Sequence, residues 1–378
     1  MFALVSSPDS VLRNGAPDAA LVGALKAVVN AGSPVVLISN HDEPSWFKAT
    51  FGSSGVQFLK SIGRQSGESV RANATRLKIA SHDIFVLATK SEDVQMAKNA
   101  HAILIAGGWA KSTLVDPLGI RVIDATQLQE TLSLMQGWSG QWWFSGSTKN
   151  YELKALSDLS SMYKSADQAD FSRRVTGIVK AGGPRLMALL TIAARSLLMD
   201  GVDGVKDLLW GVYPSSKSSN DDTEILSDFT HRLRTTVSQV RYAKRGAPLF
   251  IRHRSSTKRS SSGGGVDRTD PSEQIQTIHL NPEYRKNVKG RNVVVVDDCT
   301  TYGVSFGVAA AFLKKAGAAS VTGIALGKFG NQLRTYEIDV LTDPFAPVDV
   351  TGFKVVATGP FVGSTNHVGQ QTLLRIFP

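Results

Sequence analysis

The sequence predicts an α/β protein with two parallel sheets and a helical region between them. Strand-like and helix-like patterns alternate through residues 1–137, as in Rossmann-like sheets. Residues 138–240 carry apolar side chains at spacings of three and four, which favours helices. Residues 241–378 contain the run Val293–Val296, typical of a strand buried on both faces of a parallel sheet. We therefore predict an N-terminal α/β domain (1–137), a helical linker or interface region (138–240) and a C-terminal α/β domain (241–378).

The N-terminal elements are short apolar runs that alternate with amphipathic segments. The predicted strands and helices are, in order, Met1–Val5, helix Ala19–Asn30, Pro34–Ser39, Ile84–Ala88, helix Ser91–Asn99 and Ala102–Ile105. Strands joined by helices form right-handed crossovers, so the strands are expected to be parallel.

The middle region is predicted to be helical and begins with a cluster of aromatic residues. The predicted helices are Leu153–Tyr163, Asp170–Val179, Arg185–Met199 and Asp222–Tyr242. The aromatic residues are Trp138, Trp142, Trp143 and Phe144. We interpret them as part of an interface between domains or subunits, with stacking on nucleobases as the alternative.

Composition excludes several classes of protein. The chain has 378 residues, 42% of them hydrophobic, which is enough for two or three packed domains. No apolar run reaches the roughly 18–20 residues that a membrane span needs. Cys299 is the only cysteine and cannot form an intramolecular disulfide. Since the first residues also lack a signal-peptide pattern, we expect a soluble cytoplasmic protein without a membrane partner.

The net charge of +10 is concentrated in one segment. Residues 241–291 hold 12 Lys and Arg against 4 Asp and Glu, whereas residues 1–240 hold 24 against 22 and residues 292–378 hold 6 against 6. Such a segment is a solvated surface, a patch for nucleic acid, or a site for a small anion.

An acid pair and a hydroxyl-rich loop follow the valine run directly. Asp297 and Asp298 stand at the predicted carboxyl end of this strand, where open α/β sheets bind ligands. The loop Cys299–Ser305 leads into an apolar helix, predicted over Phe306–Ala316. Backbone amides, hydroxyls and a helix N-terminus together form a cradle for an anion.

The segment VVVVDDCTTYGVS resembles the signature of type I phosphoribosyltransferases, which bind phosphoribosyl diphosphate (PRPP). The resemblance implies that Asp297 and Asp298 are the catalytic acids, holding the ribose hydroxyls. The 5′-phosphate would be bound by the residues of the loop, namely Thr300, Thr301, Tyr302, Gly303, Val304 and Ser305. The family often has a small residue at the position of Tyr302.

The same resemblance gives the basic segment a role beside the pyrophosphate of PRPP. Pro248–His253 is predicted as the first core strand and Ile275–Leu280 as the second, with a basic Gly/Ser-rich loop between them. The residues implied in pyrophosphate binding and in a mobile loop are Arg252, His253, Arg254, Lys258 and Arg259. Cations there would accompany the negative charge that leaves with pyrophosphate.

The next predicted strand, Ser320–Gly327, ends at two further candidates. Lys328 and Phe329 would lie on the ligand side of the sheet, so the resemblance implies contact with the base or with pyrophosphate. The implied cofactor is Mg²⁺, carried by PRPP without direct protein ligands. The implied partners are PRPP and a nucleobase or amine, with a homodimer left open.

The N-terminal domain resembles a degenerate member of the haloacid dehalogenase (HAD) superfamily. PVVLISN resembles the second motif, with Ser39 as the phosphate-binding hydroxyl, and the segment from VLATKSED onward resembles the last motif. Active members need an Asp nucleophile and a second Asp two residues later. Ser6 and Pro8 stand at those positions, and Thr89 replaces an acid so that only Asp93 remains. The resemblance implies a domain without phosphatase activity, and a generic flavodoxin-like sheet is the alternative.

Three functions are therefore considered. The first is a phosphoribosyltransferase that joins phosphoribose to a nitrogen base and releases pyrophosphate. The second is a regulatory protein that senses PRPP or a nucleotide without catalysis. The third is a nucleic-acid-binding protein that uses residues 241–291.

Overall fold

The predicted α/β class is confirmed by a computed structural model, which describes residues 1–110, 112–237, 245–257 and 267–377. The chain divides into two compact units instead of the three predicted regions. The first unit contains Met1–Gly140, Met187–Gly204 and His231–Ala243. The second contains Gln141–Leu186, Val205–Thr230 and Lys244–Pro378. The predicted middle region is thus shared between the two units.

The first unit is built on a parallel sheet, with strand order β5-β4-β1-β6-β7-β8 in the described residues. Its elements are β1 (Ala3–Ser6), β2 (Leu12–Arg13), β3 (Ala16–Pro17), α1 (Ala19–Asn30), β4 (Val35–Ser39), α2 (Ser45–Phe51), β5 (Gln57–Lys60), α3 (Glu68–Leu77), β6 (Ile84–Ala88), α4 (Ser91–Asn99), β7 (Ile103–Gly107), β8 (Ile120–Val122) and α5 (Ala125–Gly137).

The local sequence explains these elements. Helix α1 begins where the Asp18 carboxylate accepts hydrogen bonds from the amides of Ala20 and Leu21, both at 3.0 Å. Strands β6 and β7 are buried along their whole length, so they read as continuous apolar runs. The predicted strands and helices of this region are confirmed to within two residues at each end.

The remaining elements belong to the second unit, except that most of α7 and the second half of α8 belong to the first. They are β9 (Phe144–Ser147), β10 (Glu152–Asp158), α6 (Ala166–Ala181), α7 (Pro184–Met199), β11 (Leu208–Val212), α8 (Ile225–Val237), β12 (Phe250–Arg252), α9 (Ser272–Thr277), β13 (Ile278–Leu280), β14 (Asn292–Thr300), α10 (Val304–Lys315), β15 (Ser320–Lys328), β16 (Arg334–Val340), β17 (Phe353–Pro360), β18 (Gly363–Thr365) and α11 (His367–Ile376).

The main sheet of the second unit has the strand order β11-β14-β15-β10-β9-β18 in the part of the chain that is described. Strands β11, β14, β15 and β10 are parallel, and β9 and β18 are antiparallel to their neighbours. The valine run lies in β14, with Val293–Val296 buried on both faces as predicted.

One predicted helix of the middle region is wrong. Leu153–Tyr163 is not a helix, because β10 occupies Glu152–Asp158 between β15 and β9. Leu153, Leu156 and Leu159 are spaced by three residues, which also fits a helix, although the first residues of β10 alternate between half-buried and buried. Strand β11 was missed altogether within the same region. Helix α8 covers Ile225–Val237 of the predicted Asp222–Tyr242, and the last residues of that prediction lie outside the described ranges.

The predicted core strands around the basic segment are also wrong. Pro248–His253 does not join the main sheet, since β12 pairs only with β13, antiparallel, in a separate ribbon of the described residues. The first three residues of Ile275–Leu280 end helix α9, and the last three form strand β13. In the main sheet, β14 lies between β15 and β11, and β11 is the strand that occupies the place predicted for Pro248–His253.

The aromatic cluster packs inside the chain. Trp143 and Phe144 belong to the hydrophobic core of the second unit, and Trp138 is buried in the first unit with its indole N–H 3.0 Å from the Ser196 hydroxyl. These side chains therefore have packing roles within the units.

No single helix of the described residues is long and apolar enough to cross a membrane, and one bent pair, Ala166–Ala181 with Arg185–Met199, meets the test only as a pair.

Candidate functional site

The carboxyl ends of four parallel strands meet at one edge of the second sheet, which we call the acid-pair edge. Hydrogen bonds continue the ladder past the strand ends, from Tyr213 N to Val296 O (2.9 Å), from Phe329 N to Thr300 O (2.8 Å) and from Leu159 N to Lys328 O (2.9 Å). The loops that follow β11, β14, β15 and β10 therefore leave the sheet side by side, which is where such sheets bind ligands.

Asp297 and Asp298 lie near the end of β14 and are half-buried. Asp297 accepts a hydrogen bond from the Asp298 amide at 2.8 Å, and Asp298 accepts one from the Cys299 amide at 2.5 Å. Burial and the neighbouring Asp298 carboxylate raise the pKa of Asp297 well above its ordinary value, although a hydrogen bond from Ser305 opposes the shift. The pair is therefore suited to groups that donate hydrogen bonds or carry positive charge.

The environment of Cys299 disfavours ionisation of its thiol. Burial and the two carboxylates raise the pKa of its thiol well above the ordinary value. The thiolate, which is the reactive form, is thus disfavoured.

The loop that follows the acid pair is held in one conformation by its own contacts. The Thr300 hydroxyl accepts a hydrogen bond from the Gly303 amide at 3.1 Å, and Tyr302 O accepts one from Arg334 N at 3.0 Å. Gly303 has φ +80°, and a Cβ at this position would lie 3.0 Å from Arg334 O. Glycine is thus required there, and α10 begins at the next residue, Val304. Of the six predicted phosphate-binding residues, Thr300, Gly303 and Val304 are buried, whereas Thr301, Tyr302 and Ser305 are partly exposed.

Sequence reasoning missed the loop after β11. Residues 213–220 leave the acid-pair edge next to β14, because β11 is its parallel neighbour. The sequence LLWGV followed by YPSSKSSN, an apolar run and then a turn-rich segment, was the available signal. The sequence predicts Pro248–His253 as the core strand before this loop, but in the structure the loop follows β11, which pairs with β14.

Arg252 supports this missed loop. Only 4% of Arg252 is exposed. Its guanidinium donates hydrogen bonds to Thr277 Oγ1 (2.8 Å), Gln274 Oε1 (3.0 Å) and Pro214 O (3.2 Å). The Asn220 side chain in turn bonds both the amide and the carbonyl of Arg252, at 2.8 and 3.0 Å. Arg252 thus holds both ends of residues 213–220, and its contact with pyrophosphate stays a prediction.

The other predicted cations of the basic segment fall into two groups. His253 and Arg254 are exposed, and the His253 ring lies 5.4 Å from that of His279. Partial burial, His279 and Arg254 lower the pKa of His253, so its neutral form is favoured. Lys258 and Arg259 lie outside the described residues.

Lys328 is at the acid-pair edge but is enclosed, with 3% of its surface exposed. Its ammonium group donates to Gly330 O and lies 5.1 and 5.3 Å from the ring centres of Trp143 and Phe144. Burial lowers the pKa of Lys328, and Asp158 opposes the shift. Phe329 is half-buried at the end of β15. Of the two base-side candidates, Phe329 is therefore the more accessible.

The loop after β10 was also missed, and a buried polar network fixes its start. The Asp158 carbonyl accepts a hydrogen bond from the Gln168 amide group at 2.8 Å, and its backbone amide donates to Gln370 at 2.8 Å. The Asp158 carboxylate accepts the Ser160 amide at 2.8 Å and lies 3.7 Å from Lys164. Leu153–Tyr163 was predicted as a helix, so a strand end was not expected here.

The corresponding edge of the first unit lacks the acids of a phosphatase. Ser6 ends β1, and its hydroxyl donates to Leu87 O at 2.5 Å. Pro8 begins a short 3₁₀ turn. The Ser39 hydroxyl at the end of β4 accepts a hydrogen bond from the amide of His41 at 3.0 Å. None of these groups is a carboxylate that could accept a phosphoryl group.

The remaining acid of this edge, Asp93, is completely buried and saturated with donors. One carboxylate oxygen lies 2.5 Å from Arg64 Nη1. The other accepts hydrogen bonds from the amides of Thr89 (2.9 Å) and Lys90 (3.0 Å) and from the Ser7 hydroxyl (3.1 Å). The Arg64 guanidinium group and these three donors occupy both Asp93 carboxylate oxygens, so neither oxygen is open to a metal ion. The residues of this edge therefore do not fit Mg²⁺.

No group of three or more His, Cys, Asp or Glu side chains within the described ranges is arranged to hold a metal ion.

Comparisons with known proteins give structural neighbours for part of the chain. No family model matches the sequence, and no curated protein sequence matches it. One similar structure is the cobalt-bound deoxy-D-mannose-octulosonate 8-phosphate phosphatase from Haemophilus influenzae, at 14% identity and a TM-score of 0.32, covering 37% of this chain and 91% of that one.

A second similar structure, from Lactobacillus delbrueckii subsp. bulgaricus, is assigned as a phosphoglycolate phosphatase. The two share 17% identity and a TM-score of 0.28. The match covers 31% of this chain and 53% of the other, so this chain spans about half its length. Both neighbours are thus phosphatases by description, and both matches cover a minority of this chain.

Proposed function

We propose that the second unit binds PRPP at the acid-pair edge and transfers its phosphoribosyl group to a nitrogen base, releasing pyrophosphate. The observation that carries the proposal is the acid pair Asp297–Asp298 near the end of strand β14, followed by a short loop and by helix α10, whose N-cap is Gly303. Ribose hydroxyls and a phosphate group are the ligands that these two features accept together.

The acid pair would bind the ribose. The 2′ and 3′ hydroxyls donate hydrogen bonds to Asp297 and Asp298, and hydrogen bonds to a carboxylate are stronger than neutral ones. Binding would also relieve the repulsion that raises the pKa of Asp297. Mg²⁺ that arrives with PRPP would be favoured by the negative charge of these carboxylates and would supply positive charge to the leaving group.

The loop would bind the 5′-phosphate. Residues 301–305 lie at the N-terminus of α10, whose first amides have no partner within the helix. Phosphate oxygens are favoured there by the amides and by the helix dipole. Thr301 is partly exposed and its hydroxyl adds a further donor, whereas the Ser305 hydroxyl already donates to Asp297.

The loop after β11 would receive the pyrophosphate. Residues 213–220 flank the acid pair and are held by Arg252, Asn220 and the amide of Ser256, which donates to Ser216 O at 3.0 Å. A rigid loop is suited to stabilising charge that develops as the C1–O bond breaks. The base would then attack C1, with its nitrogen lone pair forming the new bond.

The test is calorimetric titration with PRPP and Mg²⁺, followed by a screen for pyrophosphate release with purine and pyrimidine bases and simple amines. We expect binding by the wild type and a loss of at least about tenfold in affinity for Asp297→Asn and Asp298→Asn, as for charged hydrogen bonds. Asp339→Asn, at an exposed position of β16, is the matched control and should bind normally.

Each outcome has a defined meaning. Binding without pyrophosphate release from any acceptor would replace the enzyme by a PRPP sensor. No PRPP binding by the wild type, or full affinity in both acid-pair variants, would overturn the proposal. Binding of polynucleotides with a steep salt dependence and no PRPP binding would instead favour the nucleic-acid function of residues 241–291.

A further inference from the structure

Tyr302 is an unusual residue for a tight anion-binding loop, because its side chain is large and half-buried. The loop conformation does not depend on the ring. It is fixed by the Gly303 amide bonded to Thr300, by the positive φ of Gly303 and by the bond from Arg334 N to Tyr302 O. The aromatic ring packs against the hydrophobic core of the second unit and makes one further contact.

The guanidinium group of Arg268 packs against the ring of Tyr302. The central carbon of this group lies 5.2 Å from the ring centre, within the range of a cation–π contact. Arg268 is half-buried and precedes helix α9. The Thr269 amide bonds Asp267 at 2.8 Å and the Ser272 amide bonds Asp270 at 3.0 Å, so turns fix the backbone on both sides of Arg268.

Stacking leaves an arginine able to bind an anion. The contact uses the face of the guanidinium group, whereas its N–H donors lie in its plane. Those donors match phosphate oxygens in pairs. A lysine could not stack in this way and would be a point charge on a flexible stem.

We propose that Tyr302 is a positioning residue that holds Arg268 beside the loop 300–305, so that the guanidinium contributes to binding the 5′-phosphate. This inference rests on the proposed function. Arg268 adds a fixed positive charge to a loop that otherwise offers only amides and hydroxyls. The large residue in the loop is thereby explained as the support of that charge.

A purely structural role for the contact makes different predictions. If stacking only anchored residues 267–271 to the core, loss of the ring would lower stability and leave phosphate affinity unchanged. The experiment therefore needs a binding readout, its salt dependence and a conservative variant.

The test uses ribose 5-phosphate and PRPP with Mg²⁺, titrated calorimetrically at about 50 and 200 mM salt. We expect Arg268→Gln and Tyr302→Leu each to weaken binding about three- to tenfold, in line with an exposed or partly desolvated cation contact. Tyr302→Phe keeps the ring and should bind like the wild type. The double variant should bind no more weakly than Arg268→Gln, because the ring acts only through the cation.

The matched control is Arg285→Gln, whose guanidinium lies 4.6 Å from the Phe345 ring in the same unit. This variant should retain wild-type affinity. Arg268→Gln should also bind with a weaker salt dependence than the wild type.

The failures can be told apart. Wild-type binding that Arg268→Gln does not change, or equal losses in Tyr302→Phe and Tyr302→Leu, would overturn this inference alone. No binding of either ligand by the wild type would remove the proposed function, and this inference with it.

Discussion

Arg64 and Asp93 form an ion pair of 2.5 Å inside the first unit, with 5% and 0% of their surfaces exposed. Removing two charges from water is costly, and the pair is stable only because each partner compensates the other and Asp93 accepts further hydrogen bonds. The arrangement lies at the edge of the sheet where β1 and β6 end, since Asp93 also bonds the Ser7 hydroxyl and the Thr89 amide.

Arg64→Met should strongly destabilise the first unit. The variant leaves the Asp93 carboxylate buried without a counter-charge, which typically costs about 3–5 kcal/mol. Urea unfolding measures the change. The control is Arg121→Gln, which breaks an exposed pair with Asp116 and should cost at most about 1 kcal/mol. Equal effects of the two variants would contradict the assigned role of Arg64.

Lys98 should make the stability of the first unit depend on alkaline pH. Burial lowers the pKa of Lys98 to about 7. Between this value and the ordinary lysine pKa, the unfolded chain binds the proton and the folded chain does not. Stability should therefore rise with pH across that window, by about 1.4 kcal/mol per unit, and be lost as pH falls toward 7.

Lys98→Met should remove this dependence and stabilise the unit at neutral pH. The measurement compares the urea midpoints of wild type and variant from about pH 7 to 10, so that other titrating groups cancel. Lys48→Met, at an exposed position of α2, is the control. Parallel pH profiles for wild type and Lys98→Met would refute the prediction.

Asp297→Asn should stabilise the second unit at neutral pH while weakening ligand binding. The pKa of Asp297 is raised in the folded state, by burial and by Asp298. The folded chain stays protonated at Asp297 to a higher pH than the unfolded chain does. The protonated carboxyl group therefore stabilises the fold at acidic pH, and this contribution is lost as pH rises through the raised pKa. Residues of functional sites commonly lower the stability of the fold in this way.

Thermal unfolding of wild type and Asp297→Asn at about pH 3 and pH 7 measures the effect. The two proteins should be closer in stability at the lower pH, where the carboxyl group is protonated in both folded and unfolded chains. A variant less stable than the wild type at pH 7 would show that the ionised Asp297 stabilises the fold.

Arg252→Met should loosen the loop after β11. The variant loses the bonds to Thr277, Gln274 and Pro214 O and leaves buried acceptors unsatisfied, at about 2–3 kcal/mol. Hydrogen exchange at residues 213–220 should become faster. Arg254→Met, at an exposed position two residues away, is the control. Unchanged exchange in Arg252→Met would contradict the supporting role.

The sequence predicts an element well when its apolar pattern has one interpretation. Val293–Val296 are four β-branched residues followed by polar ones, so a buried strand and the start of α10 could be placed. The residues of β10 could not, because Leu153, Leu156 and Leu159 also have helical spacing. Whether both faces of a segment are covered depends on neighbours distant in the chain.

The parts of the candidate site that were missed depend on such distant neighbours. Arg252 reaches the carbonyl of Pro214, 38 positions earlier, and Arg64 reaches Asp93, 29 positions later. A basic residue next to a predicted strand has the same local pattern whether it faces solvent or supports a loop. The acid pair could be predicted because its residues are adjacent in the chain.

The first unit is assembled from separate stretches of chain, and this has a consequence for synthesis. Arg195 of α7 pairs with Asp83 at 2.6 Å, and the Thr235 hydroxyl in α8 accepts the amide of Gly119 at 3.0 Å. The N-terminal sheet therefore leaves the ribosome before the helices that complete its packing. A fragment ending at Gly140 would lack both helices, so the order of translation delays completion of this unit until the first two segments of the second, Gln141–Leu186 and Val205–Thr230, have been made.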